Sequence, residues 1–460
     1  MSGSPANLPF GQRNGGGLPP AGSGGGGTVA SRPTNPYHVV LACFLGWTVD
    51  AFDFFILIFV VGDVAKTFGV GITDITWAIT LTLALRVVGA AIFGWAADRW
   101  GRRPVLIANV LIFSVLGAAS GLAPTLGIFL LFRALYGVAM GGEWGVGASL
   151  TMESVPAHWR GLVSGILQSG YSFGYLLAAL LYGLFYESLG WRGMFVVTLI
   201  PALLVLYVRR VVPESPDWER RQRLARQPGT GAGLSMLGAL RQHGRLVGYA
   251  ILLMTAAAFF SHGTQDLYPV FLRVQHGLSV HEVATVAVIY NIGAILGCLA
   301  GGTLSQLWGR RRQLMIATIC AVVLVFFWST ASGVVTLAAT AFLMQFLVQC
   351  TFGVVPAHLN EISPPEIRGT FPGFVYQFGN MLAAANATIQ SALADSFGGN
   401  YGLALGITVG IGAVVFCLMA AIGREARHVE MSGGPDAAPP GAEPDETGRA
   451  GPHGVMARAS

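Results

Sequence analysis

Asp50 and Asp53 stand three residues apart in Trp47-Thr48-Val49-Asp50-Ala51-Phe52-Asp53, inside the first long apolar run of the chain. On a helix that spacing puts both carboxyls on one face. Ionisable groups within an apolar span are costly and mark functional candidates. The pair suits a carboxyl that loads and releases a proton, and it equally suits structural pairing with an arginine on a neighbouring helix. Arg86 lies in the middle of the second apolar run. A guanidinium forks two parallel hydrogen bonds to a carboxylate, so it serves either a substrate carboxylate or Asp50 and Asp53. Arg133 and Glu143 lie in the outer and inner parts of the fourth run, where structural roles are expected. In Ser261-His262-Gly263-Thr264-Gln265-Asp266, His262 and Asp266 are four apart and share a helical face. A histidine beside an acid relays protons near neutral pH. Gln377 and Asn380, three apart, face a substrate or bridge helices through hydrogen bonds.

The elements that hold these groups follow from composition. The 460 residues are 53% hydrophobic and 11% charged, against about 25% charged in ordinary soluble domains. So few charges cannot clothe a soluble protein of this length, and the apolar body excludes disorder. Between residues 37 and 425 twelve apolar runs of helical length can be counted. The fold class expected is an all-α membrane protein with 12 transmembrane helices in two six-helix bundles. The boundaries expected are 1–36 for a disordered tail, 37–210 and 246–425 for the bundles, 211–245 for a linker and 426–460 for a second tail. Arginines alternate between connections: Arg99, Arg102 and Arg103, then Arg160, then Arg209 to Arg245, then Arg310 to Arg312, then Arg368, then Arg424 and Arg427. Lys66 is the sole lysine and lies in the other set. By the positive-inside rule the arginine-rich connections are cytoplasmic, as are both termini of a multi-pass protein of the cell (inner) membrane.

The halves repeat. Gly94-Trp95-Ala96-Ala97-Asp98-Arg99-Trp100-Gly101-Arg102-Arg103 follows the second run and Gly302-Thr303-Leu304-Ser305-Gln306-Leu307-Trp308-Gly309-Arg310-Arg311 follows the eighth, 208 residues on. Glu153 with Arg160-Gly161, and Glu361 with Arg368-Gly369, repeat at the same offset. Two motifs at one offset indicate duplication, and parallel six-helix repeats describe one transporter architecture, with its site at the midplane between halves.

These residues resemble the major facilitator superfamily. Gly94-x-x-x-Asp98-Arg99-x-Gly101-Arg102-Arg103 is similar to its loop signature, and Arg133-x-x-x-Gly137 to a second. The resemblance implies conformational and gate roles for Asp98, Arg99, Arg102, Arg133, Glu153, Arg160, Glu361 and Arg368. The second copy carries Gln306 and Leu307 in place of Asp98 and Arg99, which removes a charge pair from that gate. Ser261, His262, Thr264, Gln265 and Asp266 are similar to the span-7 signature of Jen-type lactate permeases in the sialate:proton symporter group, with departures at Ala258 and Val270. The same resemblance implies Arg86, Gln377 and Asn380 as substrate ligands; together with the spacing above, the substrate-binding residues expected are Arg86, His262, Gln265, Gln377 and Asn380 and the proton-coupling groups Asp50, Asp53 and Asp266.

The function expected is proton-coupled symport of small monocarboxylates by alternating access. The partners expected are a small organic acid, the proton and the lipid bilayer, with no nucleic acid, in a monomer. Sialate, an aromatic acid or a dicarboxylate is the alternative cargo. The 209–245 connection lacks the extra spans that the resemblance associates with sialate members. Pro213-Glu214-Ser215-Pro216 resembles sugar porters and keeps an uncoupled sugar facilitator as a rival. No phosphate loop, zinc spacing or dinucleotide fingerprint occurs, so no cofactor, no metal and no enzymatic activity are expected, with the proton gradient as the driving force. The five cysteines sit in apolar runs without disulfide spacing.

Overall fold

The computed structural model describes residues 36–70, 72–200, 203–225, 238, 241–427 and 429. The expected tails therefore fall almost wholly outside the described residues, as does part of the 211–245 connection. Regular structure among the described residues is helical. The first half comprises α1 (Pro36–Phe68), α2 (Ile72–Trp100), α3 (Arg102–Gly121), α4 (Leu126–Ser154), α5 (Arg160–Val197) and α6 (Leu203–Val211). A connecting helix, α7 (Pro216–Ala225), follows. The second half comprises α8 (Gly244–Gly263), α9 (Val280–Trp308), α10 (Arg310–Ser329), α11 (Val334–Phe352), α12 (Val355–Ile362), α13 (Phe371–Ala383), α14 (Asn386–Ser396) and α15 (Tyr401–Ile422).

All twelve expected runs fall on helices, but they are not twelve uniform rods. Nine spans among the described residues are long and apolar enough to cross a bilayer unaided, and Ala157–Tyr182 with Leu184–Val197 forms a further pair bent by 106°. Farther along the same stretch Gly190 adopts φ 59°, a conformation that glycine takes without steric cost. The eleventh run divides into α13 and α14 around Ala384 and Ala385, and neither part alone spans a membrane. The break carries polar Asn386 and Gln390, both buried.

Small residues set the helix packing. A Cβ at Gly89 would lie 1.7 Å from the Val138 carbonyl oxygen, and one at Gly297 would lie 2.2 Å from that of Phe346. These two glycines are 208 residues apart, so α2 packs on α4 as α9 packs on α11. Outside the bundle, Val323, Phe326, Ile411, Leu418 and Ile422 are exposed, an apolar coat that suits lipid rather than water.

The repeat is visible in the loops as well. Gly101 and Gly309 turn the chain with φ 107° and 94°. Arg102 then pairs with Glu153 at 3.2 Å, and Arg310 grips Glu361 through Nε at 2.9 Å and a second nitrogen at 2.8 Å. All four side chains are fully buried. Removing one partner strands the other charge. Glu361→Ala is therefore expected to destabilise the protein by about 3–5 kcal/mol, measured as a lowered unfolding temperature in detergent. Retention of wild-type stability would show that Arg310 finds another carboxylate.

Candidate functional site

Two groups of polar side chains meet in the middle of the bundle. The first belongs to the N-terminal half. Asp50 on α1 and Arg86 on α2 form an ion pair at 3.3 Å, with Asp50 fully buried. Arg86 lies 6.0 Å from the Trp47 ring and 5.8 Å from that of Phe54. Its Nε donates to no group among the described residues, and neither does Asp50 Oδ1 accept. Asp53, one turn farther along α1, faces Arg133 of α4 at 3.9 Å. Arg133 also donates from Nε to Ser120 at 2.9 Å and lies 4.2 Å over the Tyr136 ring. Glu143 is buried on the same helix. The close approach of α2 and α4 is fixed at this level, because a Cβ at Gly141 would meet the carbonyl oxygen of Arg86 itself, 1.9 Å away.

The second group belongs to the C-terminal half. His262 Nδ1 lies 3.1 Å from Asp266 Oδ1, and Asn386 donates to Asp266 Oδ2 at 3.5 Å. Both His262 and Asp266 are partly exposed. Gln265 donates to Ser261 at 3.1 Å and to Gln345 at 3.3 Å, and Gln345 donates to Thr264 at 2.9 Å. Asn380 lies on α13, three residues after Gln377. Gln377 is buried with its amide unpaired among the described residues.

Aromatic rings join the two groups across the halves. Trp144 of α4 stacks on Tyr376 of α13 with centroids 4.0 Å apart. Trp47 stacks on Tyr171 at 5.7 Å and meets Trp144 edge-on at 6.5 Å. Gln168 accepts from Trp144 Nε1 at 3.2 Å. Arg86 lies within electrostatic reach of His262, Tyr171 and Tyr376. The site thus has a cation on one wall, a histidine–acid pair on the other and aromatic faces between them.

At the arginine-rich face the halves are locked together. Asp98 accepts from Gly369 N at 2.8 Å, Thr370 N at 3.0 Å and Thr370 Oγ1 at 2.8 Å, and it pairs with Arg102 at 3.0 Å. Its repeat partner Gln306 accepts from Gly161 N at 3.2 Å and from Arg310 at 2.9 Å, and donates to Ala157 O at 3.1 Å. The charge lost from the second copy is thus replaced by a neutral amide in the same place. Arg368 pairs with Asp217 of α7 at 2.6 Å, while Arg160 donates to Met152 O at 3.2 Å and to Val429 O. Two gate candidates sit elsewhere. Arg133 is with Asp53 in the N-terminal part of α4, and Arg99 is exposed at 5.9 Å from the Trp95 ring.

The connections supply further gate parts that the sequence reading did not single out. Glu214 accepts from Arg102 N at 2.7 Å and Arg103 N at 3.1 Å, and Glu425 accepts from Arg310 N at 3.0 Å and Arg311 N at 3.1 Å. Each carboxylate sits at a helix N-terminus, where N–H groups are free and the dipole favours an anion. Burial pushes the Glu214 carboxyl above the ordinary range in spite of the backbone N–H groups around it. For Glu425 burial acts the same way, but the N–H groups of Arg310, Arg311 and Arg427 prevail and hold it below. Ser215 donates to Glu153, and Trp218 donates from Nε1 to Asp98 O at 2.9 Å. The signal for the first set was the Pro213-Glu214-Ser215-Pro216 motif, whose position beside the gate was not deducible from spacing. The Trp144–Tyr376 stack left no signal at all, since its two residues lie in different halves.

A helical membrane bundle built from two repeated halves, with charges at their midplane interface and a polar lock at one face, is a transporter architecture. Residues 43–267 and 251–443 match the Major Facilitator Superfamily, and the chain belongs to that family. It is a membrane transporter, not an enzyme. It is 29% identical over 376 residues to a carboxylic acid transporter protein homolog of Saccharomyces cerevisiae, covering 77% of this chain and 61% of the yeast protein. It is 28% identical over 382 residues to the cis,cis-muconate transport protein of Acinetobacter baylyi, covering 82% and 89% of the two chains. It is 26% identical over 402 residues to the sialic acid transporter NanX of Escherichia coli, covering 85% and 96%. Among solved structures the proton:xylose symporter XylE, bound to 6-bromo-6-deoxy-D-glucose, shares the fold with a TM-score of 0.68 at 19% identity, over 84% of this chain and 94% of that one.

Proposed function

We propose that this transporter carries small monocarboxylates of the lactate and pyruvate kind, together with protons, by alternating access. The observation that carries the reading is the buried Asp50–Arg86 pair at the interface between halves. In the pair, Arg86 is neutralised by Asp50. A proton arriving on Asp50 cancels that carboxylate and frees the guanidinium fork for the carboxylate of a substrate. Binding of acid and proton are thereby linked, which is what symport requires. His262 and Asp266 face the same space and offer a second proton acceptor or a polar ligand, with Asn380 and Gln265 beside them. Names of the relatives support an organic acid as the cargo class. With the arginine-rich loops placed in the cytoplasm, the conformation described is closed to the cell interior, in a monomer of the cell membrane.

The test is uptake of labelled lactate into proteoliposomes with and without an inward proton gradient. Accumulation that collapses when the gradient is dissipated is the expected result, and uptake indifferent to the gradient would sink coupling.

A second reading of the cargo rests on the rings. Trp47 lies 6.0 Å from Arg86 and stacks on Tyr171, Trp144 stacks on Tyr376, and aromatic faces of this kind favour planar conjugated partners. An aromatic or diene carboxylate would then replace lactate in the same site. A competition panel of lactate, nicotinate, cis,cis-muconate, sialate and xylose against gradient-driven uptake ranks the two. Strongest inhibition by nicotinate or muconate is the expected outcome for the planar class.

A further inference from the structure

The cluster around Arg86 and Arg133 holds one acid too many. Asp50 takes Arg86 at 3.3 Å and Asp53 takes Arg133 at 3.9 Å. Glu143 is the third carboxyl, 1% exposed, and neither of its oxygens has a hydrogen-bond partner among the described residues. The titratable and charged groups facing it are Asp50 and Cys43 from α1 and Arg86 from α2. Arg86 is already engaged by Asp50. An ionised carboxylate held in an apolar interior without a donor is far more costly than a neutral carboxylic acid. Two arginines balance two aspartates, and neutrality of the cluster leaves a proton on Glu143.

Its position gives that proton a use. Glu143 lies on α4 ten residues beyond Arg133 and ten before Glu153 of the gate, roughly 15 Å from each along the axis. Its carboxyl packs on the α1 backbone one turn below Asp50, where a Cβ at Gly46 would come within 2.4 Å of Oε1. Asp53, Asp50 and Glu143 therefore form a descending series from the outer part of the bundle towards the locked face.

We propose that Glu143 holds the transported proton in this conformation, receiving it from the Asp50 carboxyl and leaving Asp50 as the carboxylate that re-forms the pair with Arg86. One O–H bond breaks at Asp50 and one forms at Glu143, and net charge is unchanged. The proposal rests on proton coupling for its word "transported", but the protonation of Glu143 stands apart from the identity of the cargo.

The first test uses protons as the only ligand. Infrared titration of the full chain in lipid bilayers compares wild type with Glu143→Gln at neutral pH. A protonated-carboxyl stretch present in wild type and missing from the variant is expected, and identical spectra overturn the proposal. The second test follows lactate. Glu143→Gln mimics the protonated form, so equal-pH exchange is expected to stay within about threefold of wild type while gradient-driven accumulation falls by roughly tenfold or more. Glu143→Asp, which keeps a carboxyl, is expected to restore accumulation. Wild-type accumulation by the glutamine variant overturns the coupling role, and so does loss of exchange together with failure of the aspartate variant. Absence of gradient dependence in wild type instead removes the coupled reading while leaving the infrared result to judge Glu143.

Discussion

Arg86→Lys is expected to reduce initial uptake of the transported acid by roughly a hundredfold, equivalent to about 2.8 kcal/mol at 1.4 kcal/mol per tenfold, while leaving the fold intact. Lysine preserves the positive charge, so the buried Asp50 carboxylate is not orphaned and the large penalty for a stranded charge is avoided. What lysine lacks is the planar fork and the delocalised face. Arg86 spends one nitrogen on Asp50 at 3.3 Å and lies 6.0 Å from the Trp47 ring and 5.8 Å from that of Phe54. An ammonium reaching for Asp50 occupies a single point and offers no second parallel bond to a substrate carboxylate. The measurement pairs uptake rates with thermal unfolding of the purified variant. Normal unfolding with lost uptake assigns Arg86 to the substrate, whereas normal uptake removes it from the site. Arg86→Ala cannot make this distinction, since it would strand Asp50 in the interior.

The fold was legible because its determinants are local or periodic. Apolar runs of bilayer length, arginines sorted to alternate connections and a 208-residue offset each survive in one dimension. What the apolar pattern did not show was the break within the eleventh run, where composition remains apolar while Ala384 and Ala385 interrupt the helix. Single-residue backbone geometry does not alter hydropathy and leaves no trace in it. The candidate site was half legible. Asp50, Arg86, His262 and Asp266 stood out because charge inside an apolar run is rare. Glu143 stood out equally but was assigned to structure, since sequence cannot reveal that Arg86 and Arg133 already have their partners. Trp144, Tyr376 and Gln168 are ordinary residues for a membrane helix, and only the docking of two halves makes them neighbours. Asp217, paired with Arg368, was hidden for the same reason, while Glu214, visible in its motif, gave no sign of its place at the start of α3.

The two copies of the gate allow a direct comparison, because the duplication places a carboxylate and an amide in equivalent positions. Asp98→Ala is expected to open the arginine-rich face far more than Gln306→Ala. Asp98 is a charged acceptor for two backbone N–H groups and a hydroxyl at the start of α13, and it also pairs with Arg102. Hydrogen bonds to a charged group contribute about 1.5–3 kcal/mol each, against about 0.5–1.5 for neutral pairs. Gln306 makes one bond to Gly161 N and one to Ala157 O across the interface. Loss of three charged contacts, about 4.5 kcal/mol at the low end of that range, thus shifts the closed–open balance by about a thousandfold or more, while loss of two neutral ones, about 1 kcal/mol at the low end, shifts it by about fivefold. Arg102, when Asp98 is removed, still has Glu153 at 3.2 Å, so the N-terminal half itself stays intact. Spin labels at exposed Arg99 and Glu366, one in each half, read the separation at this face in a background without the native cysteines. A long-distance population that dominates in Asp98→Ala and is minor in Gln306→Ala is the expected pattern. The reverse order would place the stronger half of the lock on the uncharged copy, and with it the conclusion that backbone geometry, rather than charge, holds the gate shut.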